Sequence, residues 1–293
     1  MYKVSLNIDK KEIFMKKKLI AIAVATASVM SGVANAESSW VEASTGGTID
    51  IGGTIEVDSQ YDDLWTWKLG DAITVASNAA DMNAEKTSLT ITMEQRKPLL
   101  VGKSEPFKAP STGVGASPSI SFSDADGNEV ALQTPATPSQ GKASLTLPIK
   151  DESKATIGSL TLNVQAIGVM YTQSTNPSYG GPHAMTANDV GNIFHGGLPT
   201  SAAGLNGSTA VNIVASDGGW TVTEMMNKWN EFTGQNKSWI QTVYSAGSSG
   251  TIDALYNYSL SIAQGQTLEA EFDSPVTTTT KWSAPLTISI AYN

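Results

Sequence analysis

Stretches in which every second residue is apolar recur along most of this chain, and that period suits half-buried β-strands. Leu89, Ile91 and Met93 alternate with Thr90 and Thr92. Ile120 and Phe122 run into Asp124-Ala125-Asp126-Gly127-Asn128, a turn cluster, and Val130 and Leu132 resume the pattern beyond it. Leu145, Leu147 and Ile149 precede a second turn at residues 150–154, and Leu160, Leu162, Val164 and Ala166 follow it. Tyr256, Tyr258, Leu260 and Ile262 turn at Gln264-Gly265-Gln266 into Leu268, Ala270 and Phe272. Short strands at this spacing, joined by Gly, Asp, Asn and Ser, predict an all-β sandwich or barrel. No cysteine is present, so the fold rests on its core and ladders alone. Thiol nucleophiles, thiolate metal sites and redox chemistry are absent with it.

Two stretches interrupt the alternation. Residues 171–210 are rich in Gly, Asn, Ser and Pro, with a possible helix from Thr186 or Asn188 to His195. Residues 223–244 read as helical, with Thr223 as N-cap and Met225, Trp229 and Phe232 on one face. Together they predict an insertion at about 171–250 carried on the β scaffold.

The beginning of the chain has a different logic. Met15 is followed by Lys16, Lys17 and Lys18, then an apolar run from Leu19 to Val33 ending in Ala34-Asn35-Ala36. A basic start, a short apolar stretch and a small-x-small end make a secretory signal peptide, residues 1–36. The run is shorter than the ~20 residues that span a bilayer. The fourteen residues before Met15 read as an upstream start or an extended leader, and either leaves the mature chain unchanged. Cleavage removes six lysines, Asp9 and Glu12, which takes the net charge from −9 to −13. So acidic a body argues against nucleic acid or anionic lipid as partner.

Both ends of the mature chain are amphipathic ribbons. From Ala43 to Val57 the odd positions include Thr45, Ile49, Ile51, Ile55 and Val57, and the even ones from Thr48 are Thr, Asp, Gly, Thr and Glu. Residues 37–58 read either as the first strand of the chain's own sandwich or as a strand given to a neighbour. At the other end Leu286, Ile288, Ile290 and Tyr292 share one face, and the strand stops one residue before the carboxylate, where termini ordinarily fray.

These residues carry a resemblance. Asp50-Ile51-Gly52-Gly53-Thr54-Ile55, Trp65-Thr66-Trp67-Lys68-Leu69-Gly70, Leu89-Thr90-Ile91-Thr92 with Lys97-Pro98-Leu99-Leu100-Val101-Gly102, Ile193-Phe194-His195-Gly196-Gly197-Leu198 and the stretch from Ala263 to Tyr292 resemble the adhesive major subunits of kappa-class chaperone–usher fimbriae, FaeG-like. The last stretch, with Gly265-Gln266-Thr267-Leu268-Glu269-Ala270 and Trp282-Ser283-Ala284-Pro285, is the most specific. The likeness is firm at both ends and weak between about 172 and 250.

The resemblance implies an incomplete immunoglobulin-like β-sandwich, residues 59–293, with a loop and short-helix insertion, completed by donor-strand exchange. A periplasmic chaperone would pair with Leu286, Ile288, Ile290 and Tyr292. At an outer-membrane usher, Thr45, Ile49, Ile51, Ile55 and Val57 of the next copy would replace it. The product is a fimbrium on the bacterial surface that binds host glycoconjugates. The resemblance puts glycan contacts in the insertion, where Tyr179, His183, Asn188, Asp189, Asn192 and His195 supply an aromatic face and hydroxyl-reading groups. The alternative for those six is a set of solvated loop residues. The segment His183-Ala184-Met185-Thr186-Ala187-Asn188-Asp189 departs from the family pattern, so no glycan specificity carries over.

Other signals are weaker. The Asp124 loop starts like a calcium loop, but Pro135 stands where the closing glutamate belongs, so it reads as a hairpin turn. His183 and His195 are the only histidines and have no carboxylate cluster near them in sequence, which makes a zinc site a poor reading. There is no nucleophile elbow or phosphate loop, and Asp62-Asp63 and Asp151-Glu152 fall in turns. No enzyme, metal or cofactor is expected. Trp65 and Trp67, two apart on a strand, read as core before they read as a sugar platform. The competing functions are a non-adhesive shaft or minor fimbrial subunit and a secreted monomeric carbohydrate-binding sandwich. An outer-membrane barrel is disfavoured by the 7% aromatic content and the terminal Asn293.

Overall fold

In the computed structural model the alternating stretches pair into a sandwich of antiparallel strands. The structure describes residues 46–49, 64–110, 117–173, 179–235, 238–239, 242–245 and 251–292. Along the chain the strands are β1 (Gly46–Ile49), β2 (Trp65–Leu69), β3 (Ile73–Ala76), β4 (Ser88–Thr92), β5 (Lys97–Ser104), β6 (Phe107–Pro110), β7 (Pro118–Ser123), β8 (Lys142–Lys150), β9 (Thr156–Gln173), β10 (Tyr179–Thr186), β11 (Ser238–Trp239), β12 (Thr242–Ser245), β13 (Thr251–Ile262), β14 (Thr267–Phe272) and β15 (Thr287–Tyr292). Two helices, α1 (Gly207–Ser216) and α2 (Val222–Thr233), lie between β10 and β11 in sequence.

The spine is β9. Its first half pairs with β8 and β14, and its second half with β10 and β13; β13 also pairs with β5, which pairs with β2. Up to Gln165 one face of β9 is buried and the other half-open, as the alternation of Leu160, Leu162 and Val164 requires. From Ala166 to Thr172 both faces are buried, because α1 and α2 cover the second one. Ile167, Val169 and Tyr171 pack there with Ala210, Val211 and Val214 of α1 and with Met225 and Trp229 of α2. The continuous run Ala166-Ile167-Gly168-Val169-Met170-Tyr171 is the sequence mark of such two-sided burial.

The opposite face of the large sheet builds the main core, closed by a second layer made of β7 and β15. Ile120 and Phe122 of β7 and Ile288 of β15 enter it, with Leu286 just ahead of the strand. The Val130–Leu132 stretch forms isolated bridges only: Val130 N–H donates to Phe122 O at 2.9 Å, and Gln133 pairs with Ser144.

The helical expectations need correcting in three places. No helix forms from Thr186 or Asn188 to His195: local bonds close only separate turns, Asn192 N–H to Asp189 O and His195 N–H to Asn192 O, and the rest of the backbone bonds elsewhere. β10 stays laddered to β12 through Thr186, and Phe194 N–H then donates to Pro118 O of β7 at 2.6 Å. The second helix spans Val222–Thr233 and not 223–244, and its N-cap is Thr221, not Thr223. Thr221 and Glu224 form a reciprocal capping box, with Glu224 Oε2 accepting Thr221 N–H at 2.7 Å, and Gly234 ends the helix in the left-handed region at φ 66°. Of its apolar face, Met225 and Trp229 are buried, whereas Phe232 is 48% exposed. Helix α1 is a further element that the apolar alternation does not mark; its N-cap is Asn206, whose Oδ1 accepts Thr209 N–H at 2.9 Å, a cap of the usual kind.

Candidate functional site

Two regions matter: the open edge at β15 and the loop that follows β10. Within the second layer β7 is flanked on both sides. On one side it pairs with β15 from Thr287↔Ser123 to Tyr292↔Pro118. On the other, Ile120 N–H donates to His195 O at 2.8 Å and Val130 N–H to Phe122 O. β15 has only β7 beside it; among the described residues no strand pairs with its second edge. That edge leaves backbone donors and acceptors without a ladder, the arrangement that templates another strand.

Burial along β15 is graded. Leu286 and Ile288 are fully buried, and Ile290 and Tyr292 are half-buried. Tyr292 is held at the end of the gradient by Trp67 of β2, whose Nε1–H donates to its hydroxyl at 2.8 Å. Trp67 stacks on Trp65, with ring centroids 5.5 Å apart, and meets Phe194 and Tyr258 edge-on or tilted. The tryptophan pair is therefore core.

The four leading residues that are described lie on β3 and not on β15. β1 pairs antiparallel with β3, with Ile49 opposite Ile73. Thr45, Ile51, Ile55 and Val57 lie outside the described residues.

The six candidate glycan contacts do not form one surface cluster. The backbone of Tyr179 starts β10, and its side chain lies outside what the structure describes. His183 is 4% exposed within β10, and burial pushes its pKa down to about 4. Asn192 is also buried; its Oδ1 accepts Asp189 N–H at 3.1 Å and fixes the turn. Asn188 and Asp189 are exposed beside Val190, and His195 is half-buried. Among the five candidates whose side chains are described, surface chemistry is left to Asn188, Asp189 and His195, while His183 and Asn192 are interior.

The loop is pinned by its glycines. Gly196, at φ 79°, packs against Ile120 O, and a Cβ on Gly197 would collide with the Ile120 side chain. Tyr258 Oη–H donates to Gly197 O at 2.8 Å. Ile193-Phe194-His195-Gly196-Gly197-Leu198 is therefore a plug that seals the far edge of β7.

The buried imidazole gives a pH prediction. The folded state favours neutral His183, so its stabilising share is complete above about pH 6.5 and drains away as pH falls toward about 4. The full loss is on the order of 3 kcal/mol. Urea midpoints measured across this window should fall for the wild type and stay nearly level for His183→Gln; equal slopes would remove His183 as the cause.

The Asp124 turn holds a lysine where a metal loop would hold a cation. Lys150 Nζ donates to Asp126 Oδ2 at 2.6 Å and to Thr156 Oγ1 at 2.9 Å. Partial burial raises the Asp124 pKa, but hydrogen bonds from Asn128 and Asp126 and the Lys150 charge outweigh it and hold that carboxyl below its ordinary range.

The chain's relatives bear on these surfaces. A family model described as "Fimbrial, major and minor subunit", of the K88 type, matches residues 15–293. K88 fimbrial protein AC of Escherichia coli is 35% identical, over 95% of this chain and all of the relative. K88 fimbrial protein AB is 34% identical over the same share of this chain and its own full length, and the F41 fimbrial protein 26%, both also from Escherichia coli.

Proposed function

Because this chain belongs to the fimbrial major and minor subunit family, we propose that it is a subunit that polymerises by strand donation and also binds host glycans. The open edge of β15 carries this reading. Residues 37–58 of one copy, with Thr45, Ile49, Ile51, Ile55 and Val57 inward, would lie along β15 of the next. Ile290 and Tyr292, the half-buried end of that strand, have apolar surface left for the arriving side chains to cover. Before assembly a periplasmic chaperone would pair with Leu286, Ile288, Ile290 and Tyr292, and an outer-membrane usher would exchange it for the donor. On this reading residues 1–36 are removed at export, residues 59–293 form the fimbrial domain, and the helices and parallel strands within about 171–250 are its insertion. No catalytic role is assigned.

Adhesion is the second part of the proposal. Asn188, Asp189 and His195 offer amide, carboxylate and imidazole groups on the loop after β10, and Tyr179 remains a candidate aromatic face. The experiment for assembly is periplasmic expression with and without the cognate chaperone, run on unboiled gels. Ladders that depend on the chaperone are expected, and a stable free monomer would overturn the reading. For adhesion, fibres carrying Asp189→Ala should lose binding on a glycan array; unchanged binding by Asp189→Ala and His195→Ala fibres would leave a non-adhesive shaft or minor subunit.

A further inference from the structure

The outer face of the large sheet, away from both regions above, carries a depression of about 290 Å³ lined by Pro135, Lys142, Ala143, Ser144, Asn163, Gln266 and Thr267. It is built from three neighbouring strands. Ser144 of β8 stands in register with Asn163 of β9. Asn163 Nδ2 donates to Thr267 Oγ1 of β14 and to Glu269 Oε1, each at 2.8 Å, and Thr267 Oγ1–H donates to Glu269 Oε1 at 2.7 Å. The walls are fixed as well. Gln133 and Ser144 exchange two backbone hydrogen bonds of 2.9 Å, which holds the segment bearing Pro135 against the edge of β8. Gln266 spends its amide on the scaffold, donating to Val164 O at 2.9 Å and accepting from Ala263 N–H at 2.6 Å.

This network is preorganised before any ligand arrives, and what it has left to offer is specific. Both Asn163 amide hydrogens and the Thr267 hydroxyl hydrogen are engaged inside the cluster. The remaining capacity lies in acceptors, namely the Asn163 carbonyl and the Thr267 hydroxyl lone pairs, with the Ser144 hydroxyl and the Lys142 ammonium at the margin. A ligand rich in hydroxyl donors and bearing one apolar face matches that set, the apolar face lying against the Pro135 ring. The volume sits at the small end of ligand pockets, about 300–1,000 Å³, and suits a single ring. In-register hydroxyls and one carboxylate continue the polar surface across the sheet, with Thr146 opposite Thr161, Thr161 opposite Glu269, and Glu269 opposite Thr90.

The geometry points to a saccharide subsite here, taking one hexopyranose ring, formed by Ser144, Asn163 and Thr267 on the core sandwich. It uses different strands from the loop at Asn188–His195, so it stands or falls separately from adhesion through that loop.

Saturation-transfer NMR on purified fibres tests it, with methyl β-D-glucopyranoside, methyl β-D-galactopyranoside and methyl α-D-mannopyranoside as probes. At least one probe should receive saturation from wild-type fibres. The transfer should fall fivefold or more in Thr267→Val, which removes the hydroxyl at constant volume, and in Ser144→Trp, which fills the depression from an outward-facing position. Asp189→Ala fibres should keep it. No transfer to any probe, or equal transfer in wild type and Thr267→Val, would overturn the subsite. Transfer lost in Asp189→Ala but kept in Thr267→Val would also overturn it and assign the sugar to the loop.

Discussion

Asp217→Ala is expected to lower the unfolding free energy by about 3 kcal/mol, at the lower end of the range for breaking a buried ion pair. Asp217 caps the C-terminus of α1, where a negative charge opposes the helix dipole. Arg96 is the reason it is tolerated. The guanidinium clasps the carboxylate twice, Nε to Oδ1 at 2.6 Å and Nη2 to Oδ2 at 2.8 Å, and Nη1 donates to Gln165 Oε1 at 2.7 Å. Nη2 also contacts Ser261 Oγ, and Gln165 Nε2 donates onward to Gln140 O at 2.7 Å. The Asp217 side chain is fully buried and that of Arg96 is 21% exposed. Deleting the carboxylate leaves a cation that water reaches only in part, and it unties α1 from β9 and β13 together. Urea denaturation at constant m-value measures the loss. The double variant Arg96→Met with Asp217→Leu should recover much of it, since an apolar pair avoids both desolvation costs. A single-variant loss under 1 kcal/mol would show that the pair does not hold the helix to the sheet.

Charging the leading ribbon should have the second large effect, on assembly and not on folding. Four aliphatic side chains entering a neighbour would contribute roughly 6–12 kcal/mol before ordering costs, and each ladder hydrogen bond about 0.5–1.5 kcal/mol more. Ile51→Asp with Ile55→Asp removes two of those side chains and asks two carboxylates to sit unpaired in an apolar groove. Ladders on unboiled gels should vanish while a chaperone-bound monomer persists at wild-type yield. Ladders surviving both substitutions would refute donation by residues 37–58.

Much of the sandwich was legible because side-chain period is a local property. The strands holding Leu89, Phe122, Leu145, Leu160, Tyr258 and Leu268 stand where their alternation placed them. The capping box at Thr221 was equally legible, since Thr-x-x-Glu singles out Thr221 over Thr223. The chain from Thr186 to His195 was not. Its composition allows a helical turn, and only the carbonyls and amides of β7, some seventy residues away in sequence, draw its backbone into bridging instead.

The candidate contacts divide along the same line. That His183 and Asn192 are polar is written in the sequence; that both are interior is not, and for His183 it follows from α1, β9 and β12 converging on β10, which no local pattern records. The amphipathic ribbons at residues 43–57 and 286–292, the absence of cysteine and the family likeness came from sequence alone, because each is a matter of residue identity in order. Which strand edge is unpaired among the described residues, which histidine is desolvated and which hydroxyls converge on one depression were decided only by tertiary structure. Those properties depend on distances between residues far apart in the chain, and burial sets both the cost of a charge and the value of a hydrogen bond.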